Sequence, residues 1–502
     1  MGDVPTQTLD EIRSEIAKRG RRLTKDALDL LESAVADEDL TALLEAIVEQ
    51  TDSVFITRDD VARSLKKPMA PEISTETVPS ARVFEAEAKG ISSRIRVLDD
   101  PGKKATRGES LSDYVSLFKD RYKKLVGILG KRLGLDKLEG VAPGLQLQPG
   151  DTAMVAGLVS NKRIRKTGMW IDLEDPENKL SAFVSQRTAE TYKLARQIPL
   201  DSVVAAKIRR VRVTLNIVDE LFLPEVGTGK SNRSRREVYA VLTSDLHVGS
   251  KLFLKDVFMR FVLWLNGKYG NEDLQQLASK VKYLVIAGDL IDGVGIYPYQ
   301  EQEIEEVSIE KQYEKAAALL EQIPDYIEIV ILPGNHDATR QALPQPPILR
   351  DYAQFLYDQD TYHMVGNPVN LALHSVNLHA FHGRSLDDCM STMPGIRQNN
   401  NAEALRMLLR SRHIAPTFGL KTKIAPQRSD GLIIQRPPDI LQAGHIHINN
   451  HLYYNNRLVL NSGAWQGQTL YQRELGWEPT PGLAPLVDLS TLQLRILDFI
   501  SS

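Results

Sequence analysis

The sequence has 502 residues, of which 42% are hydrophobic and 25% charged, with a formal net charge of -3. That length exceeds one ordinary core and predicts several domains, and the composition is that of a globular chain, which excludes a disordered or fibrous class. The near-neutral charge gives no whole-chain argument for nucleic-acid binding, and the one cysteine, Cys389, excludes an intrachain disulfide and a cysteine-based zinc site.

No apolar run in the sequence reaches the roughly 18 residues that suggest a membrane span. The N-terminal stretch, MGDVPTQTLDEIRSEI, is acidic and polar, whereas a signal peptide starts with a basic end followed by an apolar segment. We therefore expect a cytoplasmic protein with no membrane partner.

The first part of the chain is expected to hold three segments of different character. Residues 1–67 place apolar side chains three and four positions apart, as in LDEIRSEI, and this spacing predicts an N-terminal helical module. Residues 68–110 are rich in Pro, Ser, Thr, Gly and charge, which predicts a flexible linker with little to bury. A connecting helix is expected within residues 111–147.

Residues 148–224 carry short runs of Val, Ile and Leu broken by polar turns, a pattern that favours a small β-barrel of the OB type. Basic residues and one tryptophan cluster in its first hairpin, a combination that binds single-stranded nucleic acid through phosphates and stacked bases. The candidates for DNA binding in this hairpin are Lys162, Arg163, Arg165, Lys166 and Trp170. A solvated hairpin face without a ligand is the alternative, and it stays equally open.

After a polar connector at 225–237, residues 238–502 alternate buried-looking strands with helices, which favours an α/β sandwich. The expected strands are VYAVLTS, VKYLVIA, IEIVILP, LHAFHG and DILQAGH, and helices are expected at 254–265 and 304–323. All ten histidines lie in this domain, at or after His247. Because open sheets place ligands at the carboxyl ends of their strands, we expect the chemistry there.

Each of these five strands ends in residue types that bind metals. The endings are Asp245-Leu-His247, Gly288-Asp289, Gly334-Asn335-His336-Asp337, Phe381-His382-Gly383 and Gly444-His445-Ile446-His447. One such ending would more often be a turn with a satisfied histidine. Five in succession, three of them flanked by glycines that let the backbone crowd a site, predict a metal centre.

Oxygen and imidazole ligands without a thiolate suit Mn(II), Fe(II) or Zn(II), and among these we expect manganese. Two such ions about 3.5–4 Å apart clamp the attacking and leaving oxygens of a displacement at phosphorus, and a carboxylate bridges them. Asp289 is the expected bridge, because it stands alone on the middle strand.

The order D-x-H, G-D, G-N-H-D, H, G-H-x-H resembles that of the calcineurin-like metallophosphoesterase superfamily, over about half of the chain. The resemblance implies the following ligands: Asp245, His247 and His447 for one metal, Asn335, His382 and His445 for the other, and Asp289 between them. It also implies that His336 approaches the scissile phosphate and protonates the leaving oxygen or stabilises its charge. Asp292 and Asp337 are then candidates for orienting a histidine.

Arg384 directly follows His382-Gly383 in the sequence. It is a candidate for pairing with a DNA phosphate at the centre. The alternative is an exposed arginine without a ligand.

A helical module, a linker and an OB-like barrel before such a domain resemble the small-subunit family of archaeal D-family DNA polymerases. The variants SDLHVGS, GDLIDGVG, LPGNHD and AGHIHINN are similar to those of that family. The resemblance implies a two-metal 3'-5' exonuclease acting on single-stranded or mispaired DNA 3' ends, in a heterodimer whose large catalytic subunit holds the polymerase activity. Two alternatives stay open: a repair nuclease or phosphatase of the same superfamily, and a catalytically silent accessory scaffold of a polymerase.

The C-terminal stretch allows two interpretations. Gln493, Ile496, Phe499 and Ile500 match the spacing of a sliding-clamp-binding peptide, so the clamp is a candidate partner. Leu492, Leu494 and Ile496 alternate as a closing strand does, and we favour the strand.

Overall fold

A computed structural model describes residues 22–23, 55–56, 61, 84–104 and 110–501. The chain divides into two compact units, 1–82 and 83–502. In the first unit, strands β1 (Arg22–Leu23) and β2 (Phe55–Ile56) pair in parallel, and Ile56 and Val61 are buried. The remainder of the predicted helical module, and residues 68–83 and 105–109 of the predicted linker, lie outside the described residues.

The second unit contains seventeen strands and twelve α-helices within the described ranges. The strands are β3 (Ile95–Asp99), β4 (Thr152–Arg165), β5 (Gly168–Glu174), β6 (Lys179–Ser185), β7 (Val203–Arg212), β8 (Leu215–Phe222), β9 (Tyr239–Thr243), β10 (Val281–Ala287), β11 (Glu328–Leu332), β12 (Tyr362–Met364), β13 (Val369–Leu373), β14 (Val376–Ala380), β15 (Ile440–Ala443), β16 (Asn450–Tyr454), β17 (Arg457–Asn461), β18 (Leu483–Asp488) and β19 (Leu494–Asp498). The helices are α1 (Pro101–Lys104), α2 (Leu111–Leu133), α3 (Ala142–Gln146), α4 (Ala189–Gln197), α5 (Lys255–Leu265), α6 (Glu272–Ser279), α7 (Gln300–Glu303), α8 (Ile309–Leu320), α9 (Arg350–Tyr357), α10 (Leu386–Thr392), α11 (Asn401–Ser411) and α12 (Leu470–Glu474).

Strands β4 to β8 form a closed barrel in the order β4-β5-β6-β8-β7, with α4 between β6 and β7. Alternating apolar residues explain its interior: on β6, Leu180, Ala182 and Val184 point inward while their neighbours are exposed or half-buried. A strand buried on one face shows this two-residue period. The predicted small barrel is thus confirmed as a closed five-stranded barrel.

Residues 238–501, together with β3, form a sandwich of two six-stranded sheets, β12-β11-β10-β9-β18-β19 and β16-β17-β15-β14-β13-β3. All residues of β9 and β10 are buried, as expected for parallel strands covered on both faces. Apolar side chains from both sheets share one core, including Leu242 and Val285 from the first and Leu371 and Leu378 from the second. Helices α5 and α8 fall where helices were predicted and contribute to a second core on the first sheet.

The predicted linker at 68–110 contains part of this sandwich. Strand β3 pairs antiparallel with β13 at the edge of the second sheet, so that Ile95 lies opposite Leu373 and Val97 opposite Leu371. The linker prediction is therefore wrong for residues 84–104. An edge strand of five residues among charged neighbours has too few apolar positions to stand out in composition.

Helix α2 joins the barrel to the sandwich through a buried ion pair. Arg121 Nε lies 2.7 Å from Asp430 Oδ2, and both side chains are fully buried. Arg121 also donates to Pro416 O at 2.6 Å, and His413 Nε2 lies 2.9 Å from the same Asp430 oxygen. Burial raises the pKa of Asp430, but the neighbouring His413 and Arg121 hold this pKa far below its ordinary value. Within the described residues, no helix is both long and apolar enough to cross a membrane.

We predict that Arg121→Leu lowers the free energy of unfolding by about 3–5 kcal/mol, because Asp430 stays buried without its partner charge. Urea denaturation of the purified chain measures this change. The control is Arg428→Ala, whose side chain is 92% exposed, and we expect it to change stability by less than about 0.5 kcal/mol. Equal stability of the two variants would contradict the structural importance of the ion pair.

Candidate metal centre

The five predicted strand endings meet at one place. Strands β9, β10 and β11 of the first sheet run parallel, and β14 and β15 run parallel in the second. Their carboxyl ends bring together Asp245, His247, Asp289, Asn335, His336, His382, His445 and His447, which line or lie beneath one cavity. The cavity therefore lies at the carboxyl ends of the strands, where the sequence predicts the metal centre.

A first cluster contains Asp245, His247 and His447, whose ligand atoms lie within 4.8 Å of one another. The Nε2 atoms of the two histidines are 3.0 Å apart. Asp245 Oδ1 lies 3.4 Å from the Nε2 of His447 and 3.8 Å from that of His247. The other oxygen, Oδ2, accepts hydrogen bonds from Ser244 Oγ and from the backbone of His445. Oδ1 is buried and has no hydrogen-bond partner among the described residues, so it is free to bind a cation.

A second cluster contains Asp289, His382 and His445, again within 4.8 Å. His382 Nδ1 lies 3.0 Å from the carbonyl oxygen of Ala287. A carbonyl can only accept, so Nδ1 carries the proton and a neutral His382 presents a lone pair on Nε2. That lone pair faces Asn335 Oδ1 at 3.0 Å and Asp289 Oδ2 at 3.2 Å. Three acceptors at these distances repel one another unless a proton or a metal cation lies between them.

Asp289 connects the two clusters. Its Oδ2 lies 3.2 Å from His382 Nε2 and 3.8 Å from His247 Nε2, while its Oδ1 accepts a 2.8 Å hydrogen bond from the backbone of His336. The carboxylate is buried at the centre of the site. This position fits the predicted bridging role.

The electrostatics of the site favour cations. Burial alone would lower the pKa of His247 and His382, but neighbouring carboxylates raise it to about 10 and about 9, respectively. Burial raises the pKa of Asp289, but the surrounding histidines hold this pKa well below its ordinary value. Groups that attract a proton this strongly also attract a metal ion, and this donor set of imidazoles, carboxylates and one amide suits Mn(II), Fe(II) or Zn(II).

The backbone at the site adopts a conformation that side chains rarely allow. Five of the cluster residues have positive φ between 51° and 71°: Asp245, His247, Asp289, His445 and His447. Such residues cost about 1–3 kcal/mol each and concentrate at functional sites. Glycines make the crowding possible, since a Cβ on Gly444 would lie 2.4 Å from Asp245 Oδ2, and one on Gly334 would lie 2.1 Å from Asp289 Oδ1.

His336 lies beside the clusters, with its Nε2 3.7 Å from Asp289 Oδ2. Its Nδ1 lies 2.7 Å from the carbonyl oxygen of Asp292, which leaves Nε2 as the nitrogen that faces the cavity. Burial lowers the pKa of His336 to about 4. The Asp292 carboxylate lies 3.2 Å from His247 Nδ1, as a residue that orients this histidine should.

The expectation that Asp337 orients a histidine is wrong. Its carboxylate accepts hydrogen bonds from the backbone of Gly334 and Leu290 and from the Tyr313 hydroxyl. Asp337 therefore holds the loop that carries Asn335. Burial, and then the nearby Asp289, raise the pKa of Asp337 to about 6.

The cavity above the clusters has a volume of about 310 Å³ and contains residues that sequence reasoning misses. Asp387 Oδ2 lies 3.4 Å from His445 Nε2, and Lys421 lies 3.8 Å from Asp387. Arg384, which the sequence did offer as a candidate, lines the same cavity and also lies 3.8 Å from Asp387. Three aromatic residues also line it: Tyr297, Tyr471 and Trp477. Asp387 follows His382 by five positions, which is a signal that could have found it, whereas the aromatic residues lie outside any motif.

The barrel candidates are only partly available for a ligand. Lys162 donates to the carbonyls of Arg196 and Ile198 at the end of α4, and burial lowers its pKa to about 8. Lys162 therefore stabilises a helix terminus, and its assignment to a DNA surface is wrong. Arg163 pairs with Asp172 at 3.0 Å. The remaining candidates are Arg165 and Lys166, which are exposed, and Trp170, which is half-buried against Phe183.

The C-terminal stretch forms the closing strand. Strand β19 pairs antiparallel with β18, and Phe499 is buried in the core on the first sheet. Phe499, one of the four residues whose spacing matches a clamp-binding peptide, is therefore a core residue.

Comparison with known proteins relates the sequence to polymerase subunits. A family model described as the B-subunit of DNA polymerases alpha and epsilon matches residues 240–449. The DNA polymerase II small subunit of Halobacterium salinarum is 32% identical over 527 aligned positions, which cover 99% of this chain and 100% of the relative. That of Pyrococcus furiosus is 36% identical over 389 residues, 77% of this chain, and the match spans only 63% of the relative's length. A solved structure of a novel archaeal phosphodiesterase aligns with 52% of this chain and 99% of its own, at 14% identity and a TM-score of 0.28; so low a score supports no inference.

We predict that Gly444→Ala weakens metal binding by about 10- to 100-fold, the range for disturbed neighbours of a ligand. The added Cβ displaces the Asp245 carboxylate, whereas the two sheets stay intact. Titration of the metal-free protein with Mn(II) measures the affinity. The control is Gly227→Ala, where a Cβ would meet nothing within 4 Å. Unchanged affinity in Gly444→Ala would show that Asp245 does not bind the metal.

Proposed function

Because the chain belongs to the family of archaeal DNA polymerase II small subunits, we propose that it carries a metal-dependent 3'-5' exonuclease for the polymerase. The substrate is a single-stranded or mispaired DNA 3' end. The observation that carries this proposal is the convergence of His382 Nε2, Asn335 Oδ1 and Asp289 Oδ2, a place that attracts either a proton or a metal cation. Hydrolysis of phosphodiester bonds is the chemistry for which two adjacent cation sites at strand ends are suited.

Seven residues would hold two divalent ions, with manganese as the expected metal. Asp245, His247 and His447 form one site, Asn335, His382 and His445 form the other, and Asp289 lies between them. Such ions supply Lewis-acid stabilisation of the charge that builds up on the phosphate oxygens. Asp292 would fix the orientation of His247.

His336 is the residue proposed to move a proton. In the hydrolysis, the oxygen of water bonds to phosphorus and the bond to the 3' oxygen of the preceding nucleotide breaks, so that oxygen needs a proton. The Nε2 of His336 faces the cavity, while the hydrogen bond from Nδ1 to the Asp292 carbonyl fixes the ring. Because Nδ1 holds the ring proton, Nε2 faces the cavity as a lone pair, so His336 would first take up a proton from solvent at Nε2. It would then pass that proton to the leaving oxygen or, as the imidazolium, stabilise its charge, while the attacking water loses a proton to solvent.

A silent accessory scaffold is the second candidate function, and the match to the B-subunit model of polymerases alpha and epsilon is the observation that favours it. A scaffold has no need of a buried carboxylate among imidazoles, or of five strained residues around it. Strain of this kind persists where function requires it. We therefore prefer the exonuclease to the scaffold, and a polymerase-associated nuclease to a free phosphatase.

The partner would be a large catalytic subunit that holds the polymerase activity, with the small subunit as the other half of a heterodimer. The contact surface is proposed on the barrel and on the face of the sandwich away from the metals, since the metal edge has to admit a DNA end. Arg165, Lys166 and Trp170 remain the proposed contacts of the barrel with single-stranded DNA. Phe499 is buried, so the sliding clamp stays a candidate partner only if it binds other residues of the C-terminal stretch.

We predict that Asp289→Asn and His336→Ala separate metal binding from hydrolysis. With 5'-labelled single-stranded DNA and Mn(II), Asp289→Asn loses both bound metal and shortening from the 3' end, because the central charge is gone. His336→Ala keeps its metals and is slowed by about 10²–10⁴-fold. Matched controls are Asp358→Asn and His451→Ala, which alter exposed side chains. Normal turnover in Asp289→Asn, or loss of metal in His336→Ala, would refute the roles proposed for these two residues.

We predict that a chain lacking residues 1–82 still forms a stable complex with the large subunit, because the second unit begins after this point. Co-expression followed by size-exclusion chromatography tests this. Deletion of residues 1–104 is the informative comparison, since it also removes β3 from the second sheet and should destabilise the chain. Loss of the complex in the shorter deletion, with the metal domain folded, would place the interface in the first unit.

A further inference from the structure

The cavity at the metal centre is larger than the metals require. Its volume of about 310 Å³ is at the lower end of pockets for small ligands, which span about 300–1,000 Å³. A single nucleotide is a ligand of this size class. The lining beyond the metal clusters therefore has to meet a nucleotide.

Aromatic residues form the cavity lining nearest to His336 and His447. The Tyr297 ring lies 5.8 Å from that of His336 and 6.4 Å from that of Tyr471. Trp477 lines the same cavity and is, like Tyr471, half-buried. Half-buried rings that face a cavity are available for stacking on a base, and such stacking tolerates any base because each has a π-face.

The aromatic residues are held firmly relative to the metal ligands. Helix α12, which carries Tyr471, begins with a capping box between Thr469 and Gln472. The Gln472 amide also lies 3.0 Å from His447 Nδ1, and Gln468 donates to the carbonyl of Trp477 at 2.6 Å. The backbone segments that carry Tyr471 and Trp477 are therefore tied to the first metal cluster.

Two positively charged side chains, and not aromatic rings, lie near the second metal cluster. Asp387 is 3.4 Å from His445 and 3.8 Å from both Arg384 and Lys421. The side chains of these two cations are 36% and 56% exposed, so they remain available to a phosphate. The lining thus divides into an aromatic part and a cationic part, with the metals at its base.

We propose that Tyr297, Tyr471 and Trp477 form a subsite that stacks on the base of the 3'-terminal nucleotide, while Arg384 and Lys421 bind a backbone phosphate of the strand that precedes it. This inference rests on the proposed exonuclease and names how its substrate is selected. A base can enter the subsite only when it is unpaired. Mispaired ends are preferred because they release their terminal base at a lower cost than paired ends do.

The test uses the full chain in complex with the large subunit, Mn(II), and two 5'-fluorescein-labelled single strands. One strand ends in a normal nucleotide and the other in an abasic tetrahydrofuran residue. We expect wild type to remove the abasic residue with a kcat/KM about tenfold lower, since one base–aromatic stack is worth about that factor. Tyr471→Ala and Trp477→Ala should lose about tenfold on the normal end and almost nothing on the abasic end.

Three further measurements make the outcome decisive. Tyr471→Phe keeps the ring and should restore wild-type kcat/KM, and Phe355→Ala, which removes an exposed aromatic residue elsewhere, should change nothing. Bound manganese should be equal in all variants. Equal wild-type rates on both ends, equal losses of Tyr471→Ala on both ends, or loss of metal in that variant would overturn the subsite and leave the exonuclease standing. No hydrolysis of either strand by wild type would overturn both.

Discussion

One electrostatic constraint governs the structure of the C-terminal domain: a carboxylate, an amide oxygen and an imidazole lone pair converge at a buried point. His382 Nε2 lies 3.0 Å from Asn335 Oδ1 and 3.2 Å from Asp289 Oδ2, and the repulsion between its lone pair and these oxygens is relieved only by a proton or a metal cation. The carboxylates around His382 raise its pKa, which shows how strongly the site attracts such a charge. A protein that folds around this arrangement is built to hold cations.

The sandwich explains how this convergence is maintained. Five strands from two sheets end at one edge, and their buried apolar residues fix the strand ends relative to one another. Positive φ angles at Asp245, Asp289 and His445 then turn each side chain toward the centre. The apolar core stabilises the fold, and part of that stability offsets the strain and the buried charge at the site.

Much of this can be predicted from the sequence. The strand ends are recognisable because hydrophobic runs bounded by Gly, Asp and His are local patterns in the sequence. Strand β3 escapes such reasoning, because Ile95 and Val97 lie among charged residues and pair with Leu373 and Leu371, about 275 positions away. In the sequence, Lys162 looks like a DNA contact because it stands in a basic hairpin. Its actual contacts with the end of α4 form only when the barrel closes, so the sequence does not show them. Tyr471 and Trp477 reach the cavity only through tertiary packing, which periodicity does not show.

The central claim is that Asp289 lies between two bound metal ions. Anomalous diffraction from crystals of the protein soaked in Mn(II) tests it directly. We expect two peaks about 3.5–4 Å apart, one beside Asp245, His247 and His447 and one beside Asn335, His382 and His445, with Asp289 in contact with both. A single peak, peaks that do not touch Asp289, or an empty site at saturating Mn(II) would contradict it.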